Sequence, residues 1–407
     1  MTPAARLQAA IDILDAWAPG RPMDRLLVSW RRANRYAGSG DRAAIADLVY
    51  DSLRRWRSLA WPAAGEGAGD GGRARILALA AESGDAEALF SGARHAPAPL
   101  SDHERERLAE RAERSPMEAS DALRLDLPDW LPPLFRAAHG AAAEAVMDSL
   151  RRRASLDLRV NRLKATPEAA LASLAAQGVA AAPVALAAGP ALPEALRVAS
   201  GERGLKSADA YLEGWVEVQD LASQAAAAFA GAHAGERVLD YCAGGGGKAL
   251  ALAAAMGGEG EVIAHDVDPG RMKDLGPRAA RAGARIAPLP GPVPDSARAS
   301  FDLVFADAPC SGSGAWRRNP DAKWGFSPEA LARLTSVQSE VLARAAGFVR
   351  PGGRLVYATC SLLEEENGAR VQAFLPGSGF ELESELRLTP LDGGDGFYAA
   401  RLAYNPR

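Results

Sequence analysis

Apolar and polar residues follow a helical period over the first part of the chain. Leu7, Ile11 and Leu14 recur at spacings of four and three residues, and similar segments continue, with breaks, to about residue 150. One apolar stripe per helix is typical of helices that pack together in a bundle. No strand pattern stands out here, and the Gly- and Ala-rich residues 63–73 are predicted to form a loop. The pattern therefore predicts an all-α domain over residues 1–150.

The pattern changes near residue 155. Residues 156–160 alternate like a strand, and Pro167 stands in the first turn of the helix that follows, which predicts a small α/β domain over residues 151–224. From about residue 225, short β-prone runs alternate with helical segments. This alternation predicts a parallel, doubly wound α/β sheet, a Rossmann-like domain, over residues 225–407.

Composition narrows the class of protein. A chain of 407 residues with 48% hydrophobic content is expected to form two or three domains. It contains no run of 18 apolar residues, and we expect neither a signal peptide nor a membrane contact. Three cysteines fit a reducing cytoplasm better than a disulfide scaffold. The net charge of −4 does not exclude nucleic acid, because ten Arg against six Asp make residues 1–60 locally basic. The five histidines lack ligand spacing, so no metal is predicted.

Two cysteines follow predicted strands directly. Cys310 comes after the β-prone residues 301–306, and Cys360 ends the run 355–360. Ligands bind at the carboxyl ends of strands in open α/β sheets, so two thiols there suggest covalent chemistry. Cys242, beside several glycines, is predicted to be a small buried hydrophobic residue, which is the usual role of a free cysteine.

A glycine-rich loop follows the predicted strand 237–240. A strand, a run of glycines and a helix let the backbone approach a ligand closely, and Asp266 ends the next strand, where it can accept hydrogen bonds from a ribose diol. These features predict a site for a cofactor that contains a nucleoside. The spacing of Gly244, Gly246 and Ala249 also fits the dinucleotide fingerprint, so a nicotinamide-dependent dehydrogenase is an alternative. That alternative gives the two cysteines no role.

The residues before Cys310 suggest what the second ligand is. Asp307 can donate or accept a hydrogen bond at a ring nitrogen, and Pro309 restricts the loop that carries the thiol. An acid, a proline and a thiol at one strand end can hold a planar base.

Several ordered segments resemble the Sun/Nop family of RNA cytosine carbon-5 methyltransferases, in particular the RsmB-type enzymes of 16S ribosomal RNA. The resemblance covers residues from about 155 to 407, and the first 150 residues resemble, more loosely, the NusB-like RNA-binding domain that such enzymes often carry. The matching segments are residues 158–161, 214–220, 240–248, 307–314, 318–324, Gln338, 357–361, 365–367 and 395–398.

The resemblance implies roles for individual residues. Cys360 would be the nucleophile that attacks carbon 6 of cytosine, and Cys310 would assist loss of the carbon-5 proton and release of the product. Asp307 would hydrogen-bond the cytosine ring, with Lys248 nearby. The implied cofactor is S-adenosylmethionine, and the residues that would hold it are Cys242, Ala243, Gly244, Gly245, Gly246, Gly247, Lys248, Asp266, Arg271 and Asp307.

The resemblance further implies an RNA partner, 16S rRNA or an assembly intermediate of the small subunit, and a chain that acts as a monomer. The family usually has proline at the position of Gly245, threonine at the position of Ala249 and an aspartate after the third strand, none of which is present here. The altered loop leaves a non-catalytic ribosome-assembly factor open as an alternative. Close relatives in the family act on transfer RNA, so a transfer RNA methyltransferase is a second alternative.

Two further features have ordinary interpretations. The acids Glu364, Glu365 and Glu366 are expected to begin a helix, where negative charge favours the helix dipole. Trp316 and Trp324 could stack on RNA bases or pack in a core.

Overall fold

A computed structural model describes residues 1–61, 71–113 and 119–405. These residues form two compact units, one comprising Met1–Arg153 with Trp316–Pro328 and the other Ala154–Ala315 with Glu329–Arg407. Residues 63–70 of the predicted loop lie outside the described residues. The prediction was wrong at residues 72 and 73, which already belong to a helix. The domain boundaries near residues 150 and 224 stay a prediction.

The first unit is helical throughout the residues that the structure describes. Leu7, Ile11 and Leu14, on the predicted apolar face, are buried against Val49 and Leu53 of a later helix. The helical period thus identified a real core. The helices are α1 (Pro3–Asp15), α2 (Met23–Ala33), α3 (Ser39–Arg54), α4 (Gly72–Glu82), α5 (Ala86–Leu89), α6 (Asp102–Glu113), α7 (Asp121–Arg124), α8 (Pro132–His139), α9 (Ala143–Leu150) and the short helix Pro320–Trp324.

The second unit begins with a four-stranded antiparallel sheet of order β2-β3-β1-β4. Leu158 and Val160 point to its helix-covered core because side chains alternate across a strand. The elements are β1 (Asp157–Val160), α10 (Pro167–Ala176), β2 (Ala180–Pro183), β3 (Ala195–Ser200), α11 (Asp209–Leu212) and β4 (Val216–Val218).

A seven-stranded sheet of order β10-β11-β9-β8-β5-β6-β7 forms the rest of this unit. Its five strands from β5 to β9 are parallel, and a hairpin of β10 and β11 pairs antiparallel with β9. The predicted doubly wound α/β fold is therefore confirmed. The elements are α12 (Leu221–Phe229), β5 (Arg237–Asp240), α13 (Gly247–Ala255), β6 (Glu261–His265), α14 (Leu275–Ala282), β7 (Ile286–Leu289), β8 (Phe301–Asp307), α15 (Pro328–Ala346), β9 (Val349–Thr359), α16 (Gly368–Phe374), β10 (Phe380–Leu388) and β11 (Phe397–Tyr404).

Among the described residues, no helix combines the length and the apolar character that are needed to cross a membrane.

Two glycines bring the chain segments beyond β8 and before β11 into backbone contact. The Gly314 N–H donates to the carbonyl of Cys360 at 3.0 Å, and the Gly396 N–H donates to the Gly314 carbonyl at 3.0 Å. A Cβ on Gly314 would overlap the Gly396 backbone. This crossing fixes the loop that carries Cys310 against the end of β9.

We expect Gly314→Ala to lower the free energy of unfolding by about 1–3 kcal/mol, the usual cost of overpacking. Urea unfolding followed by circular dichroism measures this. Gly40→Ala in α3 is the matched control, because a Cβ there meets no atom within 4 Å, and alanine is favoured over glycine within a helix by about 0.5–1 kcal/mol. Equal stabilities of the two variants would contradict the close approach.

Candidate active site

The carboxyl ends of β8 and β9 bring the two predicted cysteines together. The strands are parallel neighbours in which Asp307 pairs with Ala358, and both chains continue past the same edge of the sheet. The Sγ atoms of Cys310 and Cys360 lie 3.5 Å apart, within hydrogen-bonding distance for thiols. Both residues are half-buried and unoxidised. A small molecule or base at this edge would meet both thiols together.

A buried carboxylate, Glu366, holds the two cysteine loops in place. Its Oε1 accepts from the Ser311 N–H at 2.8 Å and from Gln338 Nε2 at 3.0 Å. Its Oε2 accepts from the hydroxyls of Ser311 and Ser361, the residues that directly follow the two cysteines. Glu366 is fully buried. Four donors on three separate segments therefore converge on one carboxylate.

The protonation state of Cys310 depends on its neighbour. The hydrogen bond with Cys360 and burial together raise the pKa of the Cys310 thiol well above its usual value. The nearby charge of Glu366 acts in the same direction. Cys310 therefore stays a thiol at neutral pH and can donate its proton toward the Cys360 sulfur.

An ion pair lies between the glycine-rich loop and β8. Lys248 Nζ is 2.6 Å from Asp307 Oδ2, and the lysine ammonium also lies 5.1 Å from the ring centre of Phe397. Burial alone would lower the pKa of Lys248, but the attraction of Asp307 outweighs it and raises the pKa. The lysine is thus held as a cation beside the carboxylate predicted to contact a base.

Asp240, at the end of β5, is a charged residue to which the sequence analysis gave no role. It is fully buried, and burial raises the pKa of its carboxyl to about 7, although the charge of Lys248 partly offsets this. The signal in the sequence was its position, because it ends the strand that enters the glycine-rich loop. Near neutral pH this carboxyl is divided between its protonated and ionised forms.

The glycine-rich loop has the tight geometry that a close ligand requires. Gly244 and Gly246 have positive φ values of 49° and 79°, and a Cβ on Gly246 would overlap the side chain of Leu275. Asp266 is 2% exposed and accepts from the Gly244 N–H at 2.9 Å. Arg271 lies 3.3 Å from the same carboxylate oxygen. Asp266 therefore shapes the loop, and its remaining lone pairs can accept from a ligand hydroxyl.

The other predicted loop residues lie along the same turn. Gly247 begins α13, so this part of the loop lies at a helix N-terminus, where the partial positive charge of the backbone favours an anion. The Gly246 N–H itself donates to the Ala243 carbonyl at 2.8 Å and closes the turn. The side chain of Arg278 reaches the carbonyl of Gly245. Cys242 is half-buried, and the loss of solvent around it raises the pKa of its thiol. Ala243 packs against the core of the sheet.

The structure contradicts the expectation for Glu366 and decides between the two alternatives for Trp316 and Trp324. Glu366 does not serve a helix dipole, because it lies in a 3₁₀ turn, Glu364–Glu366, and its side chain points into the buried network. The spacing of acids did not reveal this, since burial depends on the distant Gln338 and Ser311. Trp316 is 2% exposed and lies 6.2 Å from Phe326, so it packs in a core. Trp324 also packs against a helical core.

Comparison with known proteins identifies the family. Residues 228–403 match the model for the 16S rRNA methyltransferase RsmB/F, and residues 127–201 match the ferredoxin-like domain of RsmF/B-like methyltransferases. The chain is 33% identical over 288 residues to the ribosomal RNA small subunit methyltransferase B of Salmonella arizonae. The chain belongs to the RsmB/F methyltransferase family. The match covers 68% of this chain and 66% of the length of that relative.

Solved structures agree with this fold. The protein in the crystal structure of PH0851 is 25% identical in sequence to this chain. The two structures match with a TM-score of 0.74 over 99% of both chains. A methyltransferase homologue from Pyrococcus horikoshii is 24% identical, with a TM-score of 0.61, and covers 71% of this chain and 99% of its own. The second likeness shows the fold alone. Membership of a methyltransferase family leaves the dehydrogenase alternative without support.

We expect Glu366→Gln to loosen the cysteine loops, because the amide places a donor where two hydroxyl donors converge. The free energy of unfolding should fall by about 1–3 kcal/mol, the usual cost of unsatisfied buried groups. Chemical denaturation measures this, with the exposed Glu381→Gln as the matched control. A Glu366→Gln protein as stable as the control would show that the network does not hold the loops.

Asp240 should make stability depend on pH. Its folded pKa of about 7 lies above the unfolded value of about 3.9. Its stabilising contribution is therefore complete below pH 3.9 and is lost as the pH rises through 7. Between pH 5 and pH 8 we expect wild type to lose on the order of 3 kcal/mol relative to Asp240→Asn. Parallel urea titrations of both proteins at the two pH values test this, and identical pH dependence would contradict it.

Proposed function

We propose that this chain methylates carbon 5 of a cytosine in RNA, with S-adenosylmethionine as the methyl donor. The observation that carries the proposal is the pair of thiols 3.5 Å apart at the ends of neighbouring parallel strands. A methyl transfer to oxygen or nitrogen requires no thiol, whereas an aromatic ring carbon is a poor nucleophile and needs covalent activation. Family membership supplies the reaction type, and the thiol pair points to carbon as the acceptor.

The cofactor site is assigned to the glycine-rich loop and the strand ends beside it. The left-handed Gly244 and Gly246, the buried Asp266 and the N-terminus of α13 fit a nucleoside with a charged tail. Asp266 would accept from the ribose hydroxyls, with Arg271 at the rim. S-adenosylmethionine supplies an electrophilic methyl group when bound.

Cys360 is assigned as the nucleophile. Its thiolate forms a bond to carbon 6 of cytosine, which shifts the ring electrons to carbon 5. Carbon 5 then takes the methyl group, a base removes the carbon-5 proton, and the electron pair of that C–H bond restores the ring double bond and expels the Cys360 thiolate. The base must be exposed from any duplex before the thiol can reach it.

Cys310 is assigned to the second half of the reaction. The hydrogen bond with Cys360 is the largest cause of the raised pKa of Cys310, followed by burial and then by the charge of Cys360. In the covalent intermediate the Cys360 sulfur carries no charge, so both contributions of Cys360 disappear and Cys310 loses its proton to solvent more readily than in the free enzyme. Its thiolate then accepts the carbon-5 proton. The two cysteines thus exchange charge states during one turnover.

Asp307 and Lys248 are assigned to the cytosine ring. The Asp307 carboxylate would accept a hydrogen bond from the exocyclic amine and, once the ring nitrogen is protonated, from that nitrogen. The Lys248 cation 2.6 Å away would keep the carboxylate oriented and balance its charge. Loss of the lysine would leave a half-buried carboxylate without its partner.

The proposed substrate is 16S rRNA, free or in a small-subunit assembly intermediate, by analogy with the relatives of the same family. Such a substrate would place the protein in the cytoplasm. The proposed enzyme acts as a monomer on RNA.

We expect Cys310→Ala to accumulate a covalent protein–RNA adduct, because Cys360 still attacks while proton removal and release are blocked. The adduct is detected as a denaturant-stable, nuclease-sensitive band that forms from 16S rRNA and S-adenosylmethionine. Cys360→Ala should form neither adduct nor product.

The double variant Cys310→Ala/Cys360→Ala is the matched control, and it should form no adduct. An adduct that persists in the double variant, or that is absent from Cys310→Ala although wild type methylates RNA, would overturn the assignment of the two cysteines.

A further inference from the structure

Arg159 on β1 carries a buried guanidinium that points away from the core of the four-stranded sheet. Leu158 and Val160 point into that core, so Arg159 points to the opposite face, where it is 8% exposed. Its Nε donates to Gln219 Oε1 at 2.7 Å. Among the described residues, its two terminal nitrogens have no hydrogen-bond partner. These nitrogens are not among the fully buried atoms that lack a partner, so they stay accessible to a ligand.

The carboxylates around Arg159 are already engaged by other arginines. Its cross-strand neighbour Glu217 is contacted by Arg278 at 3.0 Å and also by Arg281. Glu194 is 3.1 Å from Arg162. Four guanidinium groups thus face two carboxylates, a local excess of two positive charges. The charge of Arg159 lacks a partner of its own, and burial strengthens its attraction for an anion.

A cavity lies directly against this group. It has a volume of about 420 Å³, within the usual range of about 300–1,000 Å³ for small-ligand sites. Its polar lining comprises Arg159, Arg162, Gln224 and Glu194, the carboxylate that pairs with Arg162. Alanines of α12 and α13, among them Ala228 and Ala251, form an apolar wall. Such short side chains leave a flat apolar surface on which a planar ring can lie.

We propose that this cavity binds a phosphate ester of a nucleoside, with the phosphate on Arg159 and Arg162 and the base against the alanine wall. The same chemistry is offered by a free nucleotide and by one nucleotide of an RNA strand. The second source rests on the proposed RNA substrate. The cavity is separate from the thiol pair, because it lies along the later turns of α13, whereas Lys248 stands in the first turn.

Isothermal titration of the full chain tests the proposal, with adenosine monophosphate, adenosine and a short single-stranded oligoribonucleotide as separate probes. No S-adenosylmethionine is present, so the result is independent of methyl transfer. The variants are Arg159→Gln and Arg162→Gln, and the matched control is the exposed Arg333→Gln on α15. Ala228→Phe fills the cavity without a change of charge and replaces Arg159→Gln if that variant fails to fold.

We expect a phosphate-bearing probe to bind wild type and Arg333→Gln equally, and to bind Arg159→Gln and Ala228→Phe roughly tenfold to a hundredfold more weakly. Adenosine, which lacks the phosphate, should bind wild type and Arg159→Gln equally, because its affinity does not depend on the guanidinium. If Arg159→Gln and Ala228→Phe bind adenosine monophosphate more weakly than wild type does, the ligand is a free nucleotide. If these variants lose affinity for the oligoribonucleotide alone, the ligand is an RNA phosphodiester. If neither phosphate probe distinguishes these variants from Arg333→Gln, the proposal is overturned. RNA methylation that fails while the probes bind as expected would count against the proposed function and leave the cavity assignment standing.

Discussion

The position of the two thiols depends on one buried carboxylate. Glu366 accepts hydrogen bonds from Ser311, Ser361 and Gln338, which lie on the loop after β8, the loop after β9 and helix α15. A carboxyl group that is removed from solvent is costly unless several donors satisfy it, so these hydrogen bonds hold the three segments in one arrangement. The two cysteines directly precede these serines in the chain, so the network that fixes the serines also fixes the positions of the cysteines. Without this network, two flexible loops would have to bring their thiols to 3.5 Å for each turnover.

Charge organises the other side of the same edge. Lys248 connects the glycine-rich loop, which we assign to the cofactor, with Asp307, which we assign to the base. Asp240 lies behind them with a pKa near 7 because it is buried. The positive charge of Lys248 thus acts on two acids, and it reduces the free-energy cost of an ionised carboxylate at each of them. A site that must bind a cationic cofactor and a neutral base gains from carboxylates that are held in place beforehand.

The sequence predicted the fold class and the neighbourhood of the site for identifiable reasons. Periodic apolar residues define helices and strands locally, and parallel strands end at one edge, so residues after strands were expected to meet there. Glu366 and the partners of Arg159 could not be predicted in this way. Both depend on residues that are distant in the chain, such as Gln338 for Glu366 and Glu217 for Arg159. The run of three acids suggested an exposed helix start, whereas tertiary packing buries the third acid.

The central claim, that this chain makes 5-methylcytosine in ribosomal RNA, is tested most directly by bisulfite sequencing of total RNA. Cells that lack the gene are compared with cells that carry the wild-type gene or Cys360→Ala. The account predicts that one cytosine of 16S rRNA is methylated with wild type and unmethylated both in the deletion and with Cys360→Ala. A methylation map that is the same in all three would contradict it and favour the assembly-factor alternative.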